Sequence, residues 1–421
     1  KGNAMWGIRL FEKSNSAEER RGFRSSRRRT QRKRERLKLL EMLFDEEISK
    51  IDPAFFIKLR ESNLYLEDKS TKIPYCVFSD ENYTDKDFHR DYPTIYHLRN
   101  ELIKSNKPHD VRLVYLALHH IIKNRGHFLF DYSYKNDKSG DFMPIYNDLK
   151  NYFYDNYEIE LDCSDVDEFA NTLKDKSKGK TKKNAEIAEL FGVSKKYDKV
   201  LYSALSLLSG SSVKLFDIFD DEALKDVEKK SVSFSSGFDD NANDFQSYLG
   251  ERFELLEKLK AVYDWVVLAD ILDGKEYISE AKVAIYEKHK IDLRTLKKYI
   301  KIYMPEKKSE IFNISSKDNN YVAYSKHIKT SSGTGVLNST CTQEEFCAYL
   351  KKTLGICKDA SYEEMFKEIE NSTFMPKQVT KDNGVVPMQV NEKELVAILD
   401  NAKEYLPFLL NEDNDGKTVY D

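Results

Sequence analysis

The stretch that decides the fold reads Glu19-Arg-Arg-Gly-Phe-Arg-Ser-Ser-Arg-Arg-Arg-Thr-Gln-Arg-Lys-Arg-Glu-Arg36. It lies in a segment, residues 17–44, that has no proline and one glycine, Gly22, so a single long helix is predicted. The second half of this helix is amphipathic, because apolar residues recur at helical spacing at Leu37, Leu40, Phe44 and Ile48. One end of the helix is therefore predicted to pack against a core and the other to meet anions.

The net charge of −4 hides a strong local asymmetry. Between Arg20 and Lys38 there are eleven arginines or lysines and one acid, Glu35, which gives this stretch a charge of +10 and leaves −14 for the rest. Such an imbalance indicates a segment that binds nucleic acid.

The spacing of the arginines points to a strand of phosphates. Residues 21, 24, 28 and 32 share one helical face, and neighbours one turn apart stand about 6 Å from each other. Arginine also offers a planar, always-charged fork that can bind phosphate with two hydrogen bonds. Cations occupy the other sides of the helix as well, so the candidate phosphate ligands are Arg21, Arg24, Arg27, Arg28, Arg29, Arg32, Lys33 and Arg36.

Composition predicts a mostly α-helical chain of two or three domains. It has 421 residues, is 40% hydrophobic and contains only 9 prolines and 16 glycines. Asp110 is a candidate cap for a helix that is apolar on two sides and therefore predicted to be buried. The lysine-rich run 174–183 is predicted to be a mobile loop, and 313–340 to be loops or short strands. The clearest further helices are expected at 111–124, 251–272, 292–304, 343–354, 361–370 and 391–404.

Several classes of protein are disfavoured. The five cysteines are odd in number and form no Cys-x-x-Cys pair, which favours free thiols in a reducing compartment. No apolar run has transmembrane length and no secretory signal is present, so an intracellular chain is predicted. The glycine-rich run 331–335 lacks the Lys-Ser/Thr of a phosphate-binding loop, and no hydrolase or zinc-protease motif occurs. A binding protein is favoured over an enzyme.

A second basic cluster, Lys123-Asn-Arg125-Gly-His127, follows the predicted buried helix. Phosphate binding and compensation of the helix dipole explain it equally well. His119 and His120, with His127 nearby, could suggest a metal site, but no carboxylate stands at ligand spacing. Hydrogen-bonded histidines of a buried helix are the favoured interpretation.

Four motifs resemble one family. The run 19–36, followed by Leu39-Leu40-Glu41, resembles the arginine-rich bridge helix of the CRISPR-associated protein nine family, the type II CRISPR RNA-guided DNA endonucleases. The other three resemble that family's recognition lobe: Tyr92-Pro-Thr-Ile-Tyr-His-Leu-Arg99, the segment from Val111-Arg-Leu-Val-Tyr to Gly126-His-Phe-Leu129, and Met375-Pro-Lys-Gln-Val-Thr-Lys-Asp-Asn-Gly-Val-Val-Pro387.

The resemblance implies a mostly α fold, with a long bridge helix leading into a multi-helix recognition lobe that contains an inserted helical subdomain. The resemblance is weak in the middle of the chain, at about 137–273, and this fits a variable insertion in the recognition lobe. The domains expected are a lead-in segment (1–16), the bridge helix (17–50), the first part of the recognition lobe (51–136), the insertion (137–273) and the second part of the lobe (274–421).

The resemblance also implies roles for residues. Arg24, Arg28 and Arg32 match the arginines that hold the backbone of the guide's seed segment. Further RNA contacts are expected from Arg99, Lys123, Arg125 and His127. Regions that line the repeat duplex and the heteroduplex correspond to Tyr321, Tyr324, Lys377, Gln378, Thr380 and Asn383. Val379 departs from the basic residue usual in that motif.

The implied partners are guide RNA (crRNA and tracrRNA, or a fused guide), the target DNA strand and the family's nuclease lobe. An anti-CRISPR inhibitor protein is a further candidate partner, and no membrane is expected. The family's RuvC and HNH nuclease centres are expected outside residues 1–421, so the chain should be inactive alone. No cofactor is expected here, whereas Mg²⁺ is expected in the absent nuclease domains.

Two rival interpretations stay open. The first is a self-contained RNA-binding structural protein with a basic helical arm. The second is a metal-dependent nuclease that uses the histidine group.

Overall fold

A computed structural model of the protein shows a mostly α-helical chain, which confirms the predicted fold class. The chain divides into two compact units, one formed by Lys1–Arg125 with Glu394–Asp421 and the other by Gly126–Lys393. The residues that the structure describes are 17–62, 64–70, 72, 77–124, 142–175, 178–235, 238–313, 319–330, 333–336, 341–379, 386–412 and 416–419. The predicted lead-in segment 1–16 lies outside them.

The helices and strands follow in chain order. In the first unit they are α1 (Ala17–Ile51), α2 (Phe55–Arg60), α3 (Asp85–Asp91), α4 (Ile95–Lys104) and α5 (Val111–Lys123). In the second unit the helices are α6 (Met143–Tyr157), α7 (Val166–Lys174), α8 (Lys180–Leu190), α9 (Lys199–Ser206), α10 (Leu215–Phe219), α11 (Phe238–Leu249), α12 (Phe253–Leu272), α13 (Ile278–Tyr303), α14 (Lys308–Phe312), α15 (Tyr321–Ser325), α16 (Gln343–Leu354) and α17 (Glu363–Glu370). The last helix is α18 (Met388–Ala402). Two antiparallel strand pairs are described, β1 (Val213–Lys214) with β2 (Ser231–Val232) and β3 (His327–Thr330) with β4 (Gly333–Val336).

Helix α1 is the long helix that the sequence predicted, and it continues past residue 44 to Ile51. It ends two residues before Pro53, because proline disfavours the helical conformation of the residue before it. Three residues of its predicted apolar stripe are buried, with Leu40 5% exposed, Phe44 1% and Ile48 0%, and Leu37 is partly buried. The Phe44 ring lies edge-on to two aromatic rings of the same unit, with centroid distances of 5.7 Å to Tyr115 and 5.3 Å to Phe408.

Helix α5 is buried on several sides, as its two apolar stripes predicted. The predicted cap is confirmed, because the Asp110 carboxylate accepts a hydrogen bond of 2.8 Å from the backbone N–H of Arg112. The Arg112 guanidinium is also buried, and it is neutralised by Asp80 and Asp110, each 2.6 Å from Nη2. Two carboxylates thus allow one arginine to stand among the apolar residues of this helix.

Residues 142–265 of the second unit build a hydrophobic core of their own. Its members include Phe142 and Trp265, whose ring centroids lie 4.5 Å apart, and Phe169, which is 0% exposed. A segment with little recognisable pattern therefore contains enough apolar surface for an independent core.

The predicted mobile loop at 174–183 is wrong in its second half, where α8 begins at Lys180. Lys183 donates to the backbone carbonyl of Leu173 at the end of α7, at 2.6 Å. Lys180 donates to the carbonyl of Gly210, also at 2.6 Å. The Gly210 carbonyl also accepts from Ser235 Oγ at 3.0 Å. These ammonium groups bind backbone carbonyls, so part of the lysine run has a structural role.

Helix α13 begins fourteen residues before the predicted start at 292 and ends at Tyr303, just before Pro305. Its first turn is closed by Glu280, whose carboxylate accepts a hydrogen bond from the backbone N–H of Tyr277 at 3.3 Å. The helix buries Leu296, Tyr299 and Ile300 in a third hydrophobic cluster that extends to residue 375.

Candidate nucleic-acid interface

The cationic half of α1 is exposed along its length. Among the residues with described side chains, every position from 20 to 32 is exposed, and Lys33 and Arg36 are partly buried. Arg21, Arg24, Arg28 and Arg32 form no ion pair with any side chain that the structure describes. Because α1 is uninterrupted, these four arginines share one face, which we call the arginine face.

One large apolar residue in this cationic half was not singled out from the sequence. Phe23 is 60% exposed, although an aromatic ring is costly to leave in water. The available signal was its isolation, since Phe23 is the single large apolar residue between Ala17 and Arg36.

Arg99 does not lie at the protein surface, where an RNA contact would require it. The side chain is buried, at 1% exposure, and its Nε donates to Glu394 Oε2 at 2.7 Å. A second nitrogen, Nη2, lies 2.5 Å from the same oxygen, and Nη1 lies 3.1 Å from His120 Nδ1. The predicted RNA contact is therefore corrected: the guanidinium joins α4, α5 and α18 within the first unit.

His119 and His120 lie on α5, largely surrounded by protein. Burial, together with the nearby Lys123 and Lys33, lowers the pKa of His119 to about 4. Burial lowers the pKa of His120 to about 3, with Arg99 contributing in the same direction. Both rings are neutral at pH 7 in the folded protein. In the described part of the chain, no group of three or more His, Cys, Asp or Glu side chains could hold a metal ion.

We expect stability to fall as the pH drops from about 6.5 towards 4. The pKa values of both histidines are depressed in the folded state, so over this range the unfolded chain binds more protons and unfolding is favoured. Urea unfolding midpoints at about pH 7 and about pH 5 measure the effect. A His119→Gln/His120→Gln variant should show a flatter pH dependence, and an unchanged dependence would contradict the assignment.

The second basic cluster is only partly described. Lys123 is exposed at the C-terminal end of α5, so a phosphate could reach it. Arg125 and His127 lie outside the described residues, so the choice between phosphate binding and dipole compensation stays open for the cluster as a whole.

Four of the expected duplex contacts come together in the second unit. Tyr324 is 0% exposed, and its hydroxyl donates to the carbonyl of Met375 at 2.7 Å. The Lys377 ammonium lies 3.9 Å from the centre of the Tyr324 ring. Tyr321 is partly buried, and its ring centroid lies 6.1 Å from that of Phe346, which stacks on Tyr324. Gln378 Nε2 donates to the backbone carbonyl of Lys282 at 2.9 Å.

This arrangement corrects one of the four predictions. The hydroxyl and ring of Tyr324 are inside the protein, so this residue supports the region beneath the surface and does not touch a ligand directly. Tyr321, Lys377 and Gln378 are partly buried. Thr380 and Asn383 fall outside the part of the chain that the structure describes.

The fold and this surface define a helical protein in which an exposed polycationic helix is anchored at one end in a hydrophobic core. A family model for the bridge helix of CRISPR-associated endonuclease Cas9 matches residues 20–52. A second model, for the REC lobe of the same endonuclease, matches residues 141–419.

Two curated proteins give the same result. The chain is 31% identical to the CRISPR-associated endonuclease Cas9 of Listeria innocua serovar 6a over 436 residues, which cover 96% of the chain and 30% of the relative. It is 32% identical to the enzyme of that name from Streptococcus mutans serotype c over 429 residues, which cover 99% of the chain and 30% of the relative.

The chain belongs to the Cas9 family and comprises its bridge helix and REC-lobe region, which confirms the resemblance. It spans about a third of the length of the curated relatives it matches. In the described part of the chain, no helix combines the length and apolar character that a bilayer crossing requires.

Proposed function

We propose that this chain binds guide RNA through the cationic half of α1 and holds the guide–target RNA–DNA heteroduplex in its recognition lobe. The observation that carries the proposal is the arginine face, whose guanidinium groups are exposed and form no ion pair with described side chains. Polyanions are the ligands that such a surface attracts most strongly. The proposed guide-RNA contacts in the described chain are Arg21, Arg24, Arg27, Arg28, Arg29, Arg32, Lys33, Arg36 and Lys123. Further contacts, with the repeat duplex or the heteroduplex, are proposed for Tyr321, Lys377 and Gln378.

The proposed mechanism is recognition of backbone and shape. Arginines one helical turn apart bind successive phosphates of the guide and keep its bases ordered for pairing, so the sequence of the target is selected by base pairing. We place this function in antiviral defence in the bacterial cytoplasm, as part of an RNA-guided DNA endonuclease. The chain itself supplies binding, and the nuclease lobe of such an enzyme supplies cleavage.

An Arg28→Ala substitution tests the proposal. Loss of one phosphate contact should weaken binding of guide RNA and reduce the slope of log affinity against log salt by about 1. The measurement is a titration of the chain with guide RNA at several salt concentrations. Arg90→Ala is the matched control, because Arg90 is also exposed but is paired with Asp87 and Asp91. An equal slope for wild type and Arg28→Ala would remove Arg28 from the interface.

The choice of RNA separates the rival functions. RNA that contains the CRISPR repeat scaffold should bind more tightly than an unrelated duplex of equal length, whereas a general RNA-binding protein would bind the two alike. DNA cleavage by the chain alone that is lost in His119→Ala would instead support the metal-dependent nuclease.

A further inference from the structure

Phe23 has an environment unlike that of the other apolar residues of α1. The inward stripe of this helix is buried in the first unit, and the outward apolar residues Leu39 and Met42 stand beyond the arginines. Phe23 alone is an exposed aromatic ring within the cationic half, at 60% exposure. No ring contact with another described aromatic residue involves Phe23.

The described side chains around the ring are arginines. A cavity of about 730 Å³ lies against this part of α1, and the described residues that line it are Arg20, Arg21, Phe23, Arg24 and Arg27. None of these four guanidinium groups forms an ion pair with a carboxylate whose side chain the structure describes. Among the described lining residues, a ligand in this cavity meets one aromatic ring and four positive charges.

Helical phase places Phe23 on a different side of α1 from Arg21, Arg28 and Arg32. Arg27 follows Phe23 by four residues and Arg34 by eleven, so these three share a second face of α1. Arg24 is the member of the arginine face that lies nearest to Phe23, about 100° around the helix. A nucleotide strand held by Arg24 can therefore place a neighbouring base over the Phe23 ring.

The chemistry favours a nucleic-acid base over a polypeptide as the occupant. Unpaired RNA bases stack on aromatic side chains while nearby cations bind the phosphates, and this site has both components next to each other. A polypeptide that covered Phe23 would have to bring several carboxylates to neutralise the four arginines. Helix formation does not explain the residue either, because phenylalanine is a weaker helix former than arginine.

We propose that Phe23 is a stacking platform for an unpaired RNA base whose flanking phosphates are bound by Arg20, Arg24 and Arg27. The inference rests on the proposed function, because it places one base contact beside the phosphate contacts of the arginine face. It predicts that the cationic half of α1 distinguishes RNA with unpaired bases from fully paired RNA. Phosphate contacts alone give no direct contact with a base, whereas a stacked ring requires that the base be unpaired.

The test compares two RNA probes, a single-stranded oligoadenylate and a blunt RNA duplex of the same length, with the full 421-residue chain. Phe23→Ala should weaken binding of the oligoadenylate about tenfold, the order of one lost base–aromatic stack, and leave duplex affinity unchanged. The salt slope should stay the same, since no phosphate contact is removed. Phe23→Trp should retain affinity, whereas Phe23→Leu should behave like Phe23→Ala.

Leu39→Ala is the matched control, because Leu39 is a 58% exposed apolar residue of the same helix that does not line the cavity around Phe23. The affinity of this variant for oligoadenylate should equal that of wild type. The proposal is overturned if Phe23→Ala binds oligoadenylate as tightly as wild type, the outcome expected if polypeptide covers the ring. It is also overturned if Phe23→Leu binds like Phe23→Trp. In either case, a reduced salt slope in Arg28→Ala would still support the proposed function. An unchanged slope in Arg28→Ala would count against that function, independently of Phe23.

Discussion

Replacing Phe44 with alanine is expected to lower the free energy of unfolding of the first unit by about 3–5 kcal/mol, the range for removing a buried aromatic ring. Phe44 is 1% exposed, and its ring meets Tyr115 of α5 and Phe408 near the end of the chain. The substitution removes both contacts and leaves a cavity where α1 joins the core. Urea unfolding followed by circular dichroism measures the loss as a lower midpoint.

The neighbouring residue supplies the control. Leu43 lies next to Phe44 on the same helix but is 49% exposed, so Leu43→Ala should change stability by no more than about 0.5 kcal/mol. Equal losses for the two variants would mean that the anchoring of α1 does not depend on the Phe44 stripe.

Replacing Glu394 with alanine is expected to cost about 3–5 kcal/mol, as when one partner of a buried ion pair is removed. Glu394 is 0% exposed and Arg99 is 1% exposed, and the carboxylate lies 2.7 Å from Arg99 Nε and 2.5 Å from Nη2. In the Glu394→Ala variant the Arg99 guanidinium stays in the protein interior but loses this carboxylate. The expected result is a lower thermal midpoint of the first unit.

A double variant separates charge from packing in this pair. Arg99→Met together with Glu394→Met removes both charges and keeps apolar volume, so it should recover a large part of the stability lost in Glu394→Ala. If the double variant is as unstable as the single variant, the loss comes from packing or from other hydrogen bonds and the ion pair is not the cause.

Features that depend on local periodicity were predictable from the sequence. The buried stripe of α1, the cap at Asp110 and the end of α13 before Pro305 follow from spacing, capping chemistry and the conformational limits of proline. The exposed arginine face was predictable for the same reason. Residues at fixed intervals along a helix share a face whatever the rest of the chain does.

Features that depend on partners distant in sequence were not predictable from the sequence. Arg99 lies in a motif that resembles the family, and only the fold shows that its guanidinium is paired with Glu394, 295 residues later. Likewise the carbonyl of Met375 takes the hydroxyl of Tyr324, 51 residues away. The sequence predicts a loop for the lysine run because its carbonyl partners, Leu173 and Gly210, carry no recognisable side-chain signal.

The 35-residue continuity of α1 has a consequence for helix–coil equilibrium in its cationic half. As an isolated peptide, that half would suffer repulsion between arginines four residues apart and an unfavourable interaction with the helix dipole. The costly step in forming a helix is the first turn, with a nucleation constant of about 10⁻³. The apolar stripe around Phe44 already holds later turns of the same helix in the core. Residues 17–36 can therefore become helical by propagation from those turns, without a new nucleation step, and the helix should fray from Ala17 inwards. An anion that neutralises the arginines therefore raises helix content without a nucleation penalty.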